Sequence, residues 1–254
     1  MRFHPLIVVL LAVTVGCALR PVAPQVGRVE LVATFPHDPE AYTQGLQFEN
    51  GRLWESTGLY GQSSVRAVDL ASGAVLRKHP LPAAVFGEGL TRLGEKLWVL
   101  TWREQTAYAL DPETFTVLAT NRYDGEGWGL TSDGTHLIKS DGTSRLTWLD
   151  PATFTVIRSL PVTENGAPLQ NLNELEWVRG AIYANIYLED RIVRIDPQNG
   201  HVTATFDLRG LRTRLTGPHR AEVLNGIAWH AERGTFYVTG KWWPQLFEVR
   251  LLAP

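Results

Sequence analysis

The sequence predicts an all-β fold, a five-bladed β-propeller whose last blade is closed by a strand from the N-terminal part of the chain. Two observations predict it. One sequence pattern recurs five times along the 254 residues, and a strand-like segment before the first repeat supplies what the fifth repeat lacks. Repeat periods of about 40 to 45 residues are typical of propellers, and this length suits a single all-β domain.

The first 27 residues precede the repeats and are expected to lie outside the fold. The opening "MRFHPLIVVLLAVTVGC" has a basic start and an apolar run, as a secretory signal does, and the run is too short for a resident membrane span. Cys17, the only cysteine, resembles the acylated cysteine of a bacterial lipoprotein. We expect a signal over residues 1–17, lipidated at Cys17 or simply cleaved, a Pro-containing tether over residues 18–27, and a catalytic propeller over residues 28–254. The protein would be exported to the periplasm, free or membrane-anchored.

The repeats begin with similar segments: "QGLQFENGRLWEST", "EGLTRLGEKLWVLT", "WGLTSDGTHLIKSD", "NELEWVRGAIYANI" and "NGIAWHAERGTFYVTG". Their second positions are 40 to 52 residues apart and are Gly45, Gly89, Gly129, Glu174 and Gly226. Apolar and polar residues alternate around a short Gly-containing turn, which is the pattern of a β-hairpin. A third strand follows, and in four repeats it leads through a turn at an aspartate into a fourth strand.

The fifth repeat lacks a fourth strand because the chain stops at "EVRLLAP". Residues 28–35, "RVELVATF", resemble a fourth strand and lead directly into the first repeat. Pairing this segment with the C-terminal strand would close a ring and remove two exposed sheet edges. A solenoid would not need this closure, and the "GH…WD" signature of WD-type propellers is missing.

The charge balance favours no particular class of partner. Lys and Arg number 24 against 26 for Asp and Glu, so no strong field favours nucleic acid. We expect a monomer that meets a membrane only through a lipid anchor at Cys17.

The first residue of each repeat is a candidate site residue. The first strands of propeller blades line the central channel, so the residues just before them should converge at one mouth. They are Gln44, Glu88, Trp128, Asn173 and Asn225. A concave site with a few placed polar groups is typical of small-ligand binding, although Asn and Gln at strand ends also bond the local backbone.

A second set of side chains should lie at the same mouth, at the ends of the second strands. It contains Trp102, Lys139, Tyr187 and Lys241, with Trp242 and Trp243 as further candidates for the wall of a pocket. Glu126, in "DGEGWGL", is a second carboxylate near the mouth, but a tight Gly-Glu-Gly turn explains it equally well.

The motifs together resemble one family. "YTQGL", "FGEGL", "LTW", "EGWGLT", "NELEW", "LNGIAW" and "TGKWWP" occur in the order and spacing of the plant and bacterial type of glutaminyl-peptide cyclotransferase, over about residues 29–251. The resemblance implies a five-bladed propeller that converts the N-terminal glutamine of a peptide or protein to pyroglutamate and releases ammonia. It also implies an enzyme with no catalytic metal and no other cofactor.

The resemblance further implies the site residues. The catalytic positions of the family fall on Glu88, Lys241, Asn173 and Gln44, and its aromatic wall falls on Phe86, Trp102 and Trp128. Tyr42 and Tyr187 stand where Phe and Trp are expected, which keeps two aromatic faces but puts the pocket shape in question. Asn225 is expected to bind substrate from the fifth lead position.

These residue types suit cyclisation. The α-amine, with an ordinary pKa near 8, must attack the side-chain amide carbon as the free base. Glu88 is expected to accept a proton and return it to the leaving nitrogen, provided that an aromatic pocket raises its pKa. Lys241 and Asn173 would stabilise the oxyanion or bind the peptide carbonyl, and Gln44 would orient the substrate.

Two other functions remain open at this point. Glu88, Asn173 and Asn225 could ligate a divalent cation, as in a propeller lactonase, although none of the five lead positions is Asp. Alternatively, an aromatic mouth could hold a sugar or peptide without catalysis. The segment 209–223, which lengthens the last step of the repeat, could restrict access to the mouth or merely decorate its rim.

Overall fold

The structure is a computed structural model that describes residues 23–49 and 51–253. The predicted signal with Cys17, and residues 18–22 of the predicted tether, lie outside the described residues. Within those ranges the fold is all-β, as predicted, and the only α-helix is the single turn Arg209–Arg212 (α1). No helix in the described part is long and apolar enough to cross a membrane.

Three sheets contain four antiparallel strands each, in chain order. The first consists of β2 (Thr43–Glu49), β3 (Arg52–Thr57), β4 (Ser64–Val68) and β5 (Val75–Pro80). The second consists of β6 (Gly87–Leu93), β7 (Lys96–Thr101), β8 (Thr106–Leu110) and β9 (Val117–Arg122). The third consists of β10 (Leu130–Ser132), β11 (Leu137–Lys139), β12 (Arg145–Leu149) and β13 (Val156–Pro161).

The remaining strands form a large sheet and one short hairpin. The hairpin consists of β14 (Thr163–Glu164) and β15 (Ala167–Pro168). The large sheet contains β16 (Leu172–Val178), β17 (Ala181–Ile186), β18 (Arg191–Ile195), β19 (Val202–Asp207), β1 (Gln25–Pro36), β22 (Gln245–Leu252), β21 (Thr235–Gly240) and β20 (Leu224–His230), in that spatial order.

The N-terminal strand joins the two ends of the chain. β1 pairs antiparallel with β22, from Arg28 opposite Leu252 to Pro36 opposite Gln245, which is the predicted pairing. The strand begins earlier than expected, however, because Gln25–Gly27 pairs in parallel with the edge of β19. The last three residues assigned to the tether therefore belong to the sheet, where their backbone groups find hydrogen-bond partners.

The recurring glycine has a steric cause. The first strands β2, β6, β10, β16 and β20 contact one another in that order, and β20 contacts β2. A Cβ atom on Gly45 would lie 2.4 Å from the backbone nitrogen of Leu90, and one on Gly89 would lie 2.4 Å from that of Leu130. Neighbouring first strands therefore approach too closely for any side chain at these positions.

The fourth repeat carries Glu174 in place of the glycine, and its carboxylate connects other strands. It accepts hydrogen bonds from the backbone N–H groups of Leu46 in β2, at 3.2 Å, and Ile227 in β20, at 2.8 Å. Burial raises the pKa of Glu174 well above its ordinary value, and the nearby Glu176 reinforces the shift. One side chain thus joins the first strands of three successive repeats in the ring of contacts.

The predicted aspartate turns are present. Asp111 accepts a hydrogen bond from the backbone N–H of Thr114 at 2.7 Å, and Asp150 accepts one from that of Thr153 at 2.8 Å. Such bonds satisfy backbone donors that the sheet leaves free at the turn. Between the sheets, fully buried aromatic and aliphatic side chains such as Trp54 and Trp98 form the core.

Candidate active site

One cavity of about 240 Å³ lies where the first strands begin and the second strands end. Antiparallel neighbours bring these two kinds of strand end to the same face. The cavity is lined by Tyr42, Gln44, Phe86, Glu88, Trp102, Trp128, Asn173, Tyr187 and Lys241. The structure therefore places nine of the ten predicted catalytic and substrate-binding residues around a single space.

Among the described residues that line the cavity, Glu88 is the only one with a carboxylate. It lies near the start of β6, is 6% exposed, and its Oε1 accepts a hydrogen bond from Gln44 Nε2 at 3.3 Å. Burial raises the pKa of Glu88 well above its ordinary value of 4.5. The positive charge of Lys241 opposes this shift, and the negative charges of Glu126 and Glu104 reinforce it.

Lys241 supplies the positive charge of the cavity. It follows β21 directly and is 4% exposed, and this burial lowers its pKa, against the opposing charges of Glu88 and Glu222. Its ammonium lies 4.7 Å from the ring centroid of Tyr42 and 5.2 Å from that of Tyr187. These are cation–π distances. The two tyrosines that depart from the expected family pattern therefore flank the lysine.

The segment 209–223 holds the main chain of Lys241. Its last residues exchange backbone hydrogen bonds with the lysine: Lys241 N–H donates to the carbonyl of Val223 at 3.0 Å, and Glu222 N–H donates to the carbonyl of Lys241 at 2.9 Å. The indole of Trp243 adds a bond to the Glu222 carbonyl at 2.8 Å. The end of the segment 209–223 thus holds the backbone of the cavity residue Lys241.

Asn173 and Asn225 occupy different depths. Asn173 lines the cavity, and its buried Oδ1 has no hydrogen-bond partner among the described residues. Asn225 does not line the cavity, contrary to expectation. It is fully buried and donates from Nδ2 to the carbonyl of Thr43 at 3.0 Å and to Gln44 Oε1 at 3.3 Å. Its side chain is therefore engaged with β2 and with Gln44, whose amide it helps to orient.

The aromatic side chains of the wall contact one another. Phe86 packs edge-on against Tyr42 and Trp102, with centroid distances of 6.1 and 5.6 Å, and Trp128 packs edge-on against Tyr187 at 5.5 Å. Aromatic pairs prefer this geometry. The result is a rigid apolar wall around one carboxylate, one ammonium and two carboxamides.

Three side chains expected at the mouth lie elsewhere. Trp243 is fully buried in the core, and Trp242 packs on Tyr42 at 4.7 Å without lining the cavity. Lys139 is buried beside the ring of Tyr123 and faces a separate groove. Sequence spacing placed these residues at the right strand ends, but it could not show which way each side chain turns.

Sequence reasoning did not single out Glu104. Its Oε2 accepts the backbone N–H of Phe86 at 3.2 Å, and its Oε1 accepts the hydroxyl of Tyr60 at 2.9 Å. It lies in the loop between β7 and β8, outside the repeated motif, so no signal in the repeat marks it.

A second depression of about 650 Å³ lies at the opposite ends of the first strands. It is bordered by Gln47, Thr91, Trp177 and Trp229, and by Glu176, whose pKa burial raises to about 8. Aromatic residues such as Phe48 also border it, but among the described residues no lysine does. Across residues 23–49 and 51–253, no group of three or more His, Cys, Asp and Glu residues is placed to hold a metal ion.

Comparisons with known proteins identify similar sequences and a similar structure. The family model for glutamine cyclotransferase matches residues 6–251. The chain is 43% identical over 231 residues to a glutaminyl-peptide cyclotransferase from Arabidopsis thaliana. The matched region covers 89% of this chain and 72% of the relative. It also resembles the crystal structure of Myxococcus xanthus glutaminyl cyclase, with a TM-score of 0.85 and 36% identity, over 91% of this chain and 99% of that one.

Proposed function

Because the chain belongs to the glutamine cyclotransferase family, we propose that it converts the N-terminal glutamine of peptides or proteins to pyroglutamate and releases ammonia, with Glu88 as the general base and acid. One observation carries this proposal. Glu88 is the single carboxylate on the wall of a small aromatic cavity that also contains Lys241, Asn173 and Gln44.

In the proposed reaction the cavity first fixes the substrate in a folded conformer. The α-amine must lie against the amide carbon of its own side chain, and the aromatic wall restricts the glutamine to that shape. Holding reacting groups in an attack geometry supplies a large part of the acceleration in intramolecular reactions. Gln44, held by Asn225 and bonded to Glu88, orients the amine or the amide.

Glu88 then moves one proton. As the amine nitrogen bonds to the amide carbon, it gives up a proton to the Glu88 carboxylate. Glu88 returns that proton to the amide nitrogen, the carbon–nitrogen bond breaks, and ammonia leaves with pyroglutamate as the product. A carboxyl group whose pKa lies well above 4.5 can both accept and donate near neutral pH.

The oxyanion of the tetrahedral intermediate needs donors that are already in place. The Lys241 ammonium is buried between Tyr42 and Tyr187, so its charge acts in a medium of low polarity. Asn173 lines the same cavity, and its side-chain NH2 group, rather than the unpartnered Oδ1, would be the donor. These two groups are assigned to the oxyanion and to the peptide carbonyl.

The overall architecture supports the proposal that the repeats are the blades of a five-bladed propeller. The supporting observations are the ring of contacts among β2, β6, β10, β16 and β20, and the pairing of β1 with β22. In this arrangement β16–β19 form one blade and β20–β22 with β1 form the next. Their union in a single sheet follows from the short parallel pairing of Gln25–Gly27 with β19.

The N-terminal sequence supports a proposal about location. We place the protein in the periplasm, as a monomer, either free or anchored by a lipid on Cys17. Metabolic labelling with a fatty acid tests the anchor: the parent chain should incorporate label and the Cys17→Ser variant should not. Equal labelling of both would contradict a lipid on this cysteine.

The decisive experiment for the reaction uses purified protein and a peptide that begins with glutamine. The peptide should lose the mass of one ammonia, and ammonia should appear in equal amount, with or without EDTA. A peptide that begins with asparagine serves as the matched control, because its shorter side chain cannot close the five-membered ring. An unchanged glutamine peptide would contradict the function, and activity abolished by EDTA would favour a metal-dependent hydrolase.

A further inference from the structure

The carboxylate of Glu126 accepts hydrogen bonds from two tryptophans of the cavity wall. Its Oε2 accepts the indole N–H of Trp102 at 2.7 Å and that of Trp128 at 2.9 Å. These two tryptophans come from consecutive repeats, one after β7 and the other before β10. Both rings line the cavity, whereas Glu126 does not.

The remaining contacts of Glu126 fix it in place. Its Oε1 accepts Arg103 Nε at 3.1 Å, and the Arg103 guanidinium stacks over the Trp102 ring at 3.8 Å. Its backbone carbonyl accepts the buried ammonium of Lys139 at 2.5 Å. Lys139 therefore anchors the turn that presents the carboxylate, although it does not reach the cavity.

The turn around Glu126 requires a glycine on each side of the carboxylate. Gly125 has a φ of 76°, and a Cβ atom on Gly127 would lie 2.2 Å from the Tyr123 hydroxyl. Hydrogen bonds from Trp128, Trp102 and Arg103 hold the pKa of Glu126 below its ordinary value, against the opposing effect of burial. Glu126 is thus an ionised acceptor at neutral pH, and such bonds are stronger than those between neutral groups.

We propose that Glu126 is a positioning residue that sets the orientation of Trp102 and Trp128, and thereby determines how tightly the cavity fits a folded glutamine side chain. Without this acceptor, each indole N–H would need another partner and each ring could rotate about its side-chain bonds. A wider cavity would make fewer contacts with the folded glutamine side chain, so the substrate would bind more weakly and KM would rise. The inference rests on the proposed cyclotransferase function and deepens it.

The test measures kcat and KM with a glutamine peptide for Glu126→Ala and Glu126→Gln. Loss of a hydrogen bond to a charged group corresponds to roughly tenfold or more, so Glu126→Ala should raise KM about tenfold. Glu126→Gln keeps a neutral oxygen acceptor and should raise KM by about threefold. Tryptophan fluorescence should change more in Glu126→Ala than in Glu126→Gln, because both substitutions alter the environment of two indoles.

A charge control separates positioning from electrostatics. Glu104→Gln removes a carboxylate that also raises the pKa of Glu88 but accepts hydrogen bonds from Phe86 N–H and the Tyr60 hydroxyl, not from an indole, and a glutamine oxygen can keep such a bond. The charged groups that act on Glu88 are Lys241, Glu126 and Glu104. Glu126→Gln and Glu104→Gln should therefore both move the acid limb of the kcat/KM profile to lower pH. Only the substitutions of Glu126 should change KM and the tryptophan fluorescence.

A double-mutant cycle with Trp102→Phe completes the test. Phenylalanine has no N–H to donate, so the effect of Glu126→Ala on KM should shrink at least threefold in this background. If Glu126→Ala does not fold, the same comparison with Glu126→Gln decides. An unchanged KM, or an equal effect in both backgrounds, would overturn the inference. An inactive parent protein would instead contradict the proposed function.

Discussion

Replacing Glu88 by glutamine removes the proposed proton carrier while changing little else. Glutamine has almost the same shape, and its side-chain oxygen can keep the hydrogen bond from Gln44 Nε2. The aromatic wall, Lys241 and Asn173 stay in place. The substitution therefore isolates the proton transfer from the binding of substrate.

The expected magnitude follows from the composition of the cavity wall. General acid–base catalysis contributes about 100- to 10,000-fold. No second carboxylate lines the cavity in the described part of the chain, so no neighbour can replace Glu88. We expect kcat to fall by at least about 1,000-fold, or roughly 4 kcal/mol in activation free energy, with a change in KM below about threefold.

The stability of the same variant should not fall. A buried carboxyl group whose pKa is raised on folding costs stability when it is ionised, and the Glu88→Gln substitution removes that cost. The melting temperature of the variant should equal or exceed that of the parent at neutral pH.

The assay is ammonia release from a glutamine peptide at saturating concentration, with Glu49→Gln as a control at an exposed position at the far end of the first strand β2, away from the cavity. Glu49 pairs with Arg92 at the surface, so the control should keep parental activity. Near-normal turnover by Glu88→Gln would refute the assignment, and a lower melting temperature would contradict the expected stability.

Three further predictions concern charge, pH and closure. Lys241→Met should lower kcat by about 100- to 1,000-fold and move the acid limb of kcat/KM to higher pH, because the lysine opposes the raised pKa of Glu88; an unmoved limb in a pH–rate profile would contradict this. Glu176 has a pKa of about 8 in the folded protein and an ordinary value of 4.5. The free energy of unfolding should therefore decline as pH rises from about 5 to 8, by up to about 5 kcal/mol relative to Glu176→Gln. Urea unfolding measures this decline, and the same pH dependence in the parent and in Glu176→Gln would refute it. Deletion of residues 23–36, which contain β1, should expose the edges of β19 and β22 and cause aggregation in size-exclusion chromatography; a monomer with an unchanged melting temperature would count against closure by this strand.

The sequence predicted the parts of the fold that repeat. The hairpins, the aspartate turns and the pairing of β1 with β22 follow from local patterns and from a missing fourth strand. Because the first strands contact one another in order around a ring, equivalent positions of the repeats lie near one another, and one alignment of the repeats also located most of the cavity residues. The close approach of Gly45 to Leu90 gives the physical reason why the repeat contains a glycine.

What the sequence did not predict depends on contacts between distant residues. Glu174 breaks the glycine pattern, yet its two backbone partners, Leu46 and Ile227, lie far from it in sequence. Asn225 shares the lead position of its repeat but is used to hold Gln44. Glu126 could equally be a turn residue on sequence grounds, and only the orientation of two indoles distinguishes its role.

The most direct test of the account is a titration of Glu88 itself. In protein labelled with ¹³C at glutamate carboxyl carbons, the signal that disappears in Glu88→Gln should titrate well above the ordinary value of 4.5 and at the same pH as the acid limb of kcat/KM. A midpoint near the ordinary value, or an acid limb that persists unchanged in the variant, would contradict catalysis by this carboxyl group.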